Sequence, residues 1–220
     1  MSLAALIDEA KAVLFDFDGV LADSEPVFFR TCRDVFATVG HTLDVAEYYD
    51  RFTSRGLGFA AEARRAGLSM SDDQIAALER TWRAAYHHQA LNGGVPLFHG
   101  AADLVGRVAS ARPSAVASSS PTVQVRGVLR ANHTTLPCPV VGRYPGLRPK
   151  PASDVFVFAA GRLDTPPTGC LVIEDTVKGL RAAKAVGMTV AVVRTPYTRG
   201  PGFEEADYIA DRDELMGVLR

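Results

Sequence analysis

The chain has 220 residues, 24 basic and 25 acidic side chains, a net charge of −1 and 47% hydrophobic residues, which suits one large domain, or a core with a smaller insertion, around a sizeable interior. No run of like charge occurs, which argues against a nucleic-acid surface or a polybasic membrane patch, and nowhere do about 18 apolar residues follow one another as a membrane span requires. A small-molecule partner is expected.

The first residues, Met1 to Ala12, carry Asp8 and Glu9 in place of a long apolar segment, so a cytoplasmic location is expected. A first strand is predicted from Ala12 to Asp16, where an apolar run ends in Asp16-Phe17-Asp18-Gly19. A helix follows from about Glu25 to Val39, with Phe28, Phe29, Cys32, Val35, Phe36 and Val39 on one face, Ser24 as its cap and Gly40 as its stop. Another begins at Ser71, whose spacing to Gln74 fits a capping box, and carries Ile75, Leu78, Trp82 and Tyr86 toward Asn92. Asn92 to Pro96 reads as a linker. Strand runs resume at Ser114 to Ser118, Pro139 to Val141, Cys170 to Glu174 and Thr189 to Val193, with helical patterns between them. One of those helices carries Val155, Phe156, Phe158 and Ala159 on its apolar side.

This alternation predicts an α/β fold with a doubly wound, mostly parallel sheet. Residues 1–22 and 93–220 form the expected core domain, and residues 23–92, which hold no strand pattern, an inserted helical cap domain with hinges at Leu21 to Ser24 and Asn92 to Pro96. Cys32, Cys138 and Cys170 are an odd number at unrelated spacings and are expected as free thiols. A monomer or weak homodimer is expected.

Ligands of such sheets bind outside the carboxyl ends of the strands. Asp16 and Asp18 project together from the first strand end, since residues i and i+2 of an extended chain share a side. At ~4 Å and an effective dielectric of ~20 two carboxylates repel by about 4 kcal/mol, so a cation or a shared proton is needed. The alternative is a strand end whose acids face water and cap a helix. Ser118-Ser119-Ser120 offers hydroxyls and backbone N–H groups to a phosphate oxygen, or is merely a solvated turn. Lys150, in Arg148-Pro149-Lys150-Pro151, is a lysine on a stiff strand-to-helix loop. Glu174-Asp175 ends another buried strand. Oxygen ligands from Asp16 and Asp175 suit magnesium.

The ordered set DFDGVLADSE at Asp16 to Glu25, Ser118, Lys150 in RPKPASDVF and Glu174-Asp175 in EDTVKG resembles the haloacid dehalogenase superfamily. Within it the chain looks like the phosphatase and β-phosphoglucomutase-like branch with a small helical cap. The resemblance implies phosphoryl transfer with Asp16 as nucleophile, forming an aspartyl-phosphate, and Asp18 as general acid and then general base. Ser118, Ser119 and Lys150 would hold the phosphoryl oxygens. Asp16, Asp18 through its backbone carbonyl, and Asp175 would ligate Mg2+, with Glu174 orienting its waters. A magnesium-dependent hydrolysis of a small phosphorylated metabolite is expected. Dehalogenases of this fold lack an acid at the place of Asp18; receiver-type phospho-acceptor modules lack the helical insertion. Phosphomutases share all the motifs but usually carry histidine where Phe28 stands, which here is expected to pack into the cap. The family usually has glycine at the place of Pro149. In the cap, Arg51 and Arg55 are candidates to meet the leaving group, Arg55 foremost. The pair His87-His88 is expected as surface or packing, because adjacent helical residues face about 100° apart.

Overall fold

The computed structural model describes residues 2–54, 56–198 and 201–218. Six parallel strands form one sheet in the order β3-β2-β1-β4-β5-β6. They are β1 (Ala12–Phe15), β2 (Ser114–Pro121), β3 (Val140–Arg143), β4 (Cys170–Glu174), β5 (Thr189–Val193) and β6 (Tyr208–Ala210). The central β1 is buried at every position, as an unbroken apolar run between two helical layers requires. Its alternating residues serve two cores, Val13 and Phe15 on one face and Ala12 and Leu14 on the other. On the first face pack α1 (Leu3–Glu9), α6 (Ala101–Ala111), α7 (Thr122–Ala131) and α10 (Arg212–Gly217). On the second pack α8 (Asp154–Arg162) and α9 (Val177–Lys184).

Between β1 and α6 come α2 (Glu25–Ala37), α3 (Val45–Tyr48), a π-helical turn (Tyr49–Ser54), α4 (Phe59–Arg65) and α5 (Asp72–Leu91), with no strand among the described residues. These helices share a cluster of their own built on Cys32, Val35, Phe36, Tyr48, Phe59 and Leu78. Beside it lies Glu62, only 2% exposed. It meets His41 Nε2 and Arg65 Nη2, each at 2.8 Å, and Arg51 Nε at 3.1 Å. A carboxylate so buried needs such partners. The two connections to the sheet run side by side: Asp23 N–H donates to Pro96 O and Phe98 N–H to Leu21 O, both at 2.9 Å. Ala22 and Leu97 form an antiparallel bridge there.

Several expectations are corrected. Ser24 makes no side-chain capping bond, and α2 ends at Ala37, two residues short of Val39. The Ser71–Gln74 capping box is present on both sides. On α8 Phe158 is exposed at 43%, whereas Val155, Phe156 and Ala159 are buried. β2 continues past Ser118 to Pro121, and its pairing to β3 shifts register between Ala117 and Pro121. β6, α1 and α10 were not signalled by the sequence pattern. All three cysteines are free.

Candidate active site

The carboxyl ends of β1, β2 and β4 meet at one place. The Asp16 N–H donates to Ile173 O at 2.9 Å, so the backbone of the first acid is still held by the β4 ladder. The chain then turns at Gly19, whose φ of +80° belongs to the left-handed region and whose missing Cβ leaves space that the Asp175 carboxylate occupies. A side chain at position 19 would collide with that carboxylate. At the other acid pair, a Cβ on Gly179 would strike the carboxyl group of Glu174.

Lys150 joins the two strand ends. Its Nζ donates to Asp16 Oδ1 at 2.6 Å and to Glu174 Oε1 at 2.7 Å, and stands 4.4 Å from the centre of the Phe156 ring. The other Glu174 oxygen accepts from the N–H groups of Asp175 and Thr176, both at 2.7 Å, and from the Thr176 hydroxyl at 3.0 Å. Glu174 thus anchors Lys150 and the loop after β4. Ser119 Oγ accepts from the Lys150 N–H at 3.3 Å, which ties the proline-flanked loop to β2.

Asp18 points elsewhere. Its Oδ2 accepts from Ser120 Oγ at 2.7 Å and Ser118 Oγ at 3.2 Å, and its Oδ1 from the Tyr86 hydroxyl at 3.3 Å. The two acids of the first motif therefore have different surroundings, an ammonium for Asp16 and three hydroxyls for Asp18. Of these partners Tyr86 was not expected at the site, and Ser120 was expected only within the serine run facing a phosphate oxygen, not as a partner of Asp18. Alternation along an extended β2 puts Ser120 on the side of Ser118, so its place was readable once the strand was known to run on. Tyr86 depends on how α5 lies over the sheet edge.

Burial pushes the Asp16 carboxyl up to about 8, helped by the charges of Glu174 and Asp18 and opposed by Lys150. Burial likewise holds Asp175 well above the usual range, with Glu174 and Asp16 adding to it. Lys150 is pulled down by burial, but the two carboxylates outweigh that and hold it above its ordinary value, so it stays charged. Burial raises Glu25 to about 7, against the hydrogen bond it accepts from Thr53 Oγ1 at 2.8 Å.

One oxygen each of Asp16, Glu174 and Asp175 lies within 4.8 Å of the others. Asp175 Oδ1 is buried with no hydrogen-bond partner among the described residues. An orphaned carboxylate oxygen beside a second, ionisable one is a donor set that fits a hard divalent cation. The Asp18 carboxylate lies outside this cluster; only its main chain remains for the metal role expected of it.

A cleft of about 450 Å³ opens over these groups, lined by Asp16, Asp18, Ser119, Lys150 and Glu174 below and by Phe28, Trp82, Arg83 and Tyr86 from α2 and α5 above. Phe28 does not simply pack into the helical cluster: it forms cleft wall, stacked on Tyr86 with centroids 3.9 Å apart. Arg51 turns away to Glu47 and Glu62 and does not line this cleft. Arg55 lies outside the described residues.

Two acids in separate environments and a buried lysine at the carboxyl edge of a parallel sheet make a site suited to an anionic small molecule. A sequence model of the haloacid dehalogenase-like hydrolases matches residues 10–187, and the chain belongs to that family. CbbY of Rhodobacter capsulatus is 31% identical over 212 residues, 91% of this chain and 92% of that protein. The fructose-1-phosphate phosphatase YqaB of Escherichia coli is 30% identical over 185 residues, 83% of this chain and 95% of that one. A mutant CbbY from Rhodobacter sphaeroides, crystallised in complex with xylulose-(1,5)bisphosphate, superposes with a TM-score of 0.74 at 28% identity, covering 96% and 97% of the two chains. The protein is an enzyme, a hydrolase of the phosphatase kind. Among the described residues no helix is long and apolar enough to cross a membrane.

Proposed function

We propose that the chain is a magnesium-dependent phosphatase that cleaves a small phosphorylated sugar or similar monoester through an aspartyl-phosphate on Asp16. The observation that carries this reading is the division of labour in the acid pair: Asp16 on the Lys150 ammonium, Asp18 held apart by three hydroxyls. Asp16 attacks phosphorus in line as the bond to the leaving oxygen breaks, and Asp18 gives that oxygen its proton. In the second half Asp18 takes a proton from water, which attacks phosphorus and releases Asp16 and inorganic phosphate. Lys150 and the Ser118 and Ser119 region hold the phosphoryl oxygens, and positioning with charge neutralisation supplies most of the rate.

Asp16 and Asp175 would hold the cation, with the Asp18 backbone carbonyl, while Glu174 keeps Lys150 and the loop in place. A divalent ion there would supply the positive charge that lets Asp16, held near 8 without it, ionise at neutral pH. Residues 23–92 act as a cap domain over the core of residues 1–22 and 93–220, and the leaving group lies between them. A relative named for fructose 1-phosphate and a CbbY crystallised with xylulose-(1,5)bisphosphate support that substrate class. Phe28 on the cleft wall, in place of a histidine, supports hydrolysis over phosphomutase chemistry. Arg55 is kept as a candidate contact to the leaving group.

The test is a phosphate-release screen over sugar phosphates, phosphoglycolate and nucleotides with Mg2+, then with EDTA. Release that peaks on sugar phosphates and stops with the chelator is expected. Activity indifferent to EDTA removes the metal; isomerisation of a sugar phosphate without release replaces hydrolysis by the mutase.

A further inference from the structure

Asp18 has one partner that comes from the helical segment and not from the sheet. Tyr86 on α5 is 4% exposed, and its hydroxyl donates to Asp18 Oδ1 at 3.3 Å. Its ring lies nearly parallel to Phe28 of α2, at an interplanar angle of 16° and a centroid distance of 3.9 Å. Phe28 is steadied in turn by Trp82, 5.9 Å away. A buried phenol needs a hydrogen-bond partner, and a stacked ring has few ways to reach one. The opposite oxygen, Oδ2, is held by Ser118 and Ser120. Donors on both oxygens from two sides fix the plane of the carboxylate, which a single pair of serines on one oxygen does not.

Resting on the acid/base role given to Asp18 above, we propose that Tyr86 is a positioning residue that sets the Asp18 carboxyl for proton transfer and makes that transfer depend on α5 being seated over the strand ends. Tyr86 keeps its own proton throughout: the proton that reaches the leaving oxygen, as its bond to phosphorus breaks, comes from Asp18, and the one taken from water returns to Asp18. The phenol only holds Oδ1 in place. The dependence is geometric, since an acid displaced from its hydrogen-bonding position loses much of its effect.

Tyr86→Phe removes the hydroxyl and keeps the ring, its stack and its volume. The readout is kcat/KM, which reports the first transfer, on two esters: the sugar phosphate turned over fastest in the screen above, whose alkoxide must be protonated, and 2,4-dinitrophenyl phosphate, whose phenolate leaves without a proton. Tyr86→Phe should lower the first about tenfold and the second by less than about twofold, the loss expected for one hydrogen bond to a charged group. Inhibition by inorganic phosphate should be unchanged. Asp18→Asn should show the same selectivity with a larger loss. If Asp18→Asn slows both esters alike, the acid/base reading fails and the role of Tyr86 falls with it. If Asp18→Asn is selective but Tyr86→Phe slows both esters equally, slows neither, or weakens phosphate inhibition in parallel, Tyr86 is packing alone and the proposal is overturned.

Discussion

Replacing Lys150 by methionine removes the one positive charge at the centre of three buried acids. The ammonium lies 2.6 Å from Asp16 and 2.7 Å from Glu174, on a side chain 5% exposed. At an effective dielectric of ~20 each contact is worth about 6 kcal/mol of attraction. Most of that is offset by the desolvation of the three ions, and breaking such a pair from one side costs about 3–5 kcal/mol because the carboxylates stay buried. Methionine keeps the stem against Phe156, so the loss is mainly one of charge. In a chain of this length it lowers Tm by roughly 10 °C. The pH dependence fixes the sign. Asp16 stands near 8 in the wild type, above an unfolded carboxylate, and higher in the variant, where the downward pull of Lys150 is gone. Each folded protein therefore gains stability as pH falls through its own Asp16 value, the variant first. The stability gap should be widest at pH 9.5, narrow toward pH 8 and stay level from there to pH 6. Urea melts in EDTA at three pH values measure it. Equal stability at pH 9.5, or a gap that widens on acidification, refutes the charge balance described for the site.

Asp16→Asn should reduce phosphate release by more than about 10⁴-fold while the protein melts close to wild type in EDTA at neutral pH, where a carboxyl held near 8 is mostly protonated and the amide oxygen still accepts from Lys150; turnover near the wild-type rate would remove Asp16 as nucleophile. Gly19→Ala should cost roughly 1–3 kcal/mol, from the positive φ and the collision with Asp175, and should raise the Mg2+ concentration needed for half-maximal activity. Thermal melts and a magnesium titration read the two effects, and a variant unchanged in both contradicts the packing of Gly19 on Asp175. Glu62→Gln should destabilise by about 2–4 kcal/mol, because His41, Arg51 and Arg65 lose the negative charge they share and an amide N–H₂ now faces their donors. Inhibition by inorganic phosphate should stay as in wild type, and a parallel loss of phosphate affinity would show that the network reaches the sheet edge.

Of the five strands read from the sequence, the plainest are those buried on both faces. β1, β4 and β5 are continuous apolar runs, and no helix period competes with them. β6 has three residues of which only Ala210 is buried, too short for any pattern to rise above its surroundings. The end of β2 was missed because Ser118-Ser119-Ser120 has turn composition; pairing with β3 and the contact of Ser120 with Asp18 keep it extended. At the site, Asp16 and the Glu174-Asp175 pair were legible because a strand end delivers whatever residue follows it. Lys150 stood out as a lysine on a stiff, proline-flanked loop, but its place at the site was legible only through the resemblance of the ordered motifs. That Glu174 holds Lys150, and that Tyr86 reaches Asp18 across 68 residues of chain, are properties of how separate elements settle against each other, which no local spacing encodes. The same limit hid the engagement of Arg51 by Glu62, since a lone arginine in a sequence does not reveal its partner.

The paired connections at Leu21 to Asp23 and Pro96 to Phe98 have a bearing on how such a protein diversifies. Because the outgoing and returning chains are hydrogen-bonded neighbours, the gap they span is almost the same whatever lies beyond it. Doubling the length of a flexible loop adds only about 0.6 kcal/mol to its closure. The stretch between them is thus free to be shortened, exchanged or elaborated while the strand ends, the lysine and the acids keep their places. Changes in substrate range can accumulate on one side of that seam, with the contact of Tyr86 on Asp18 the one feature the inserted stretch must keep for the reaction on the other side.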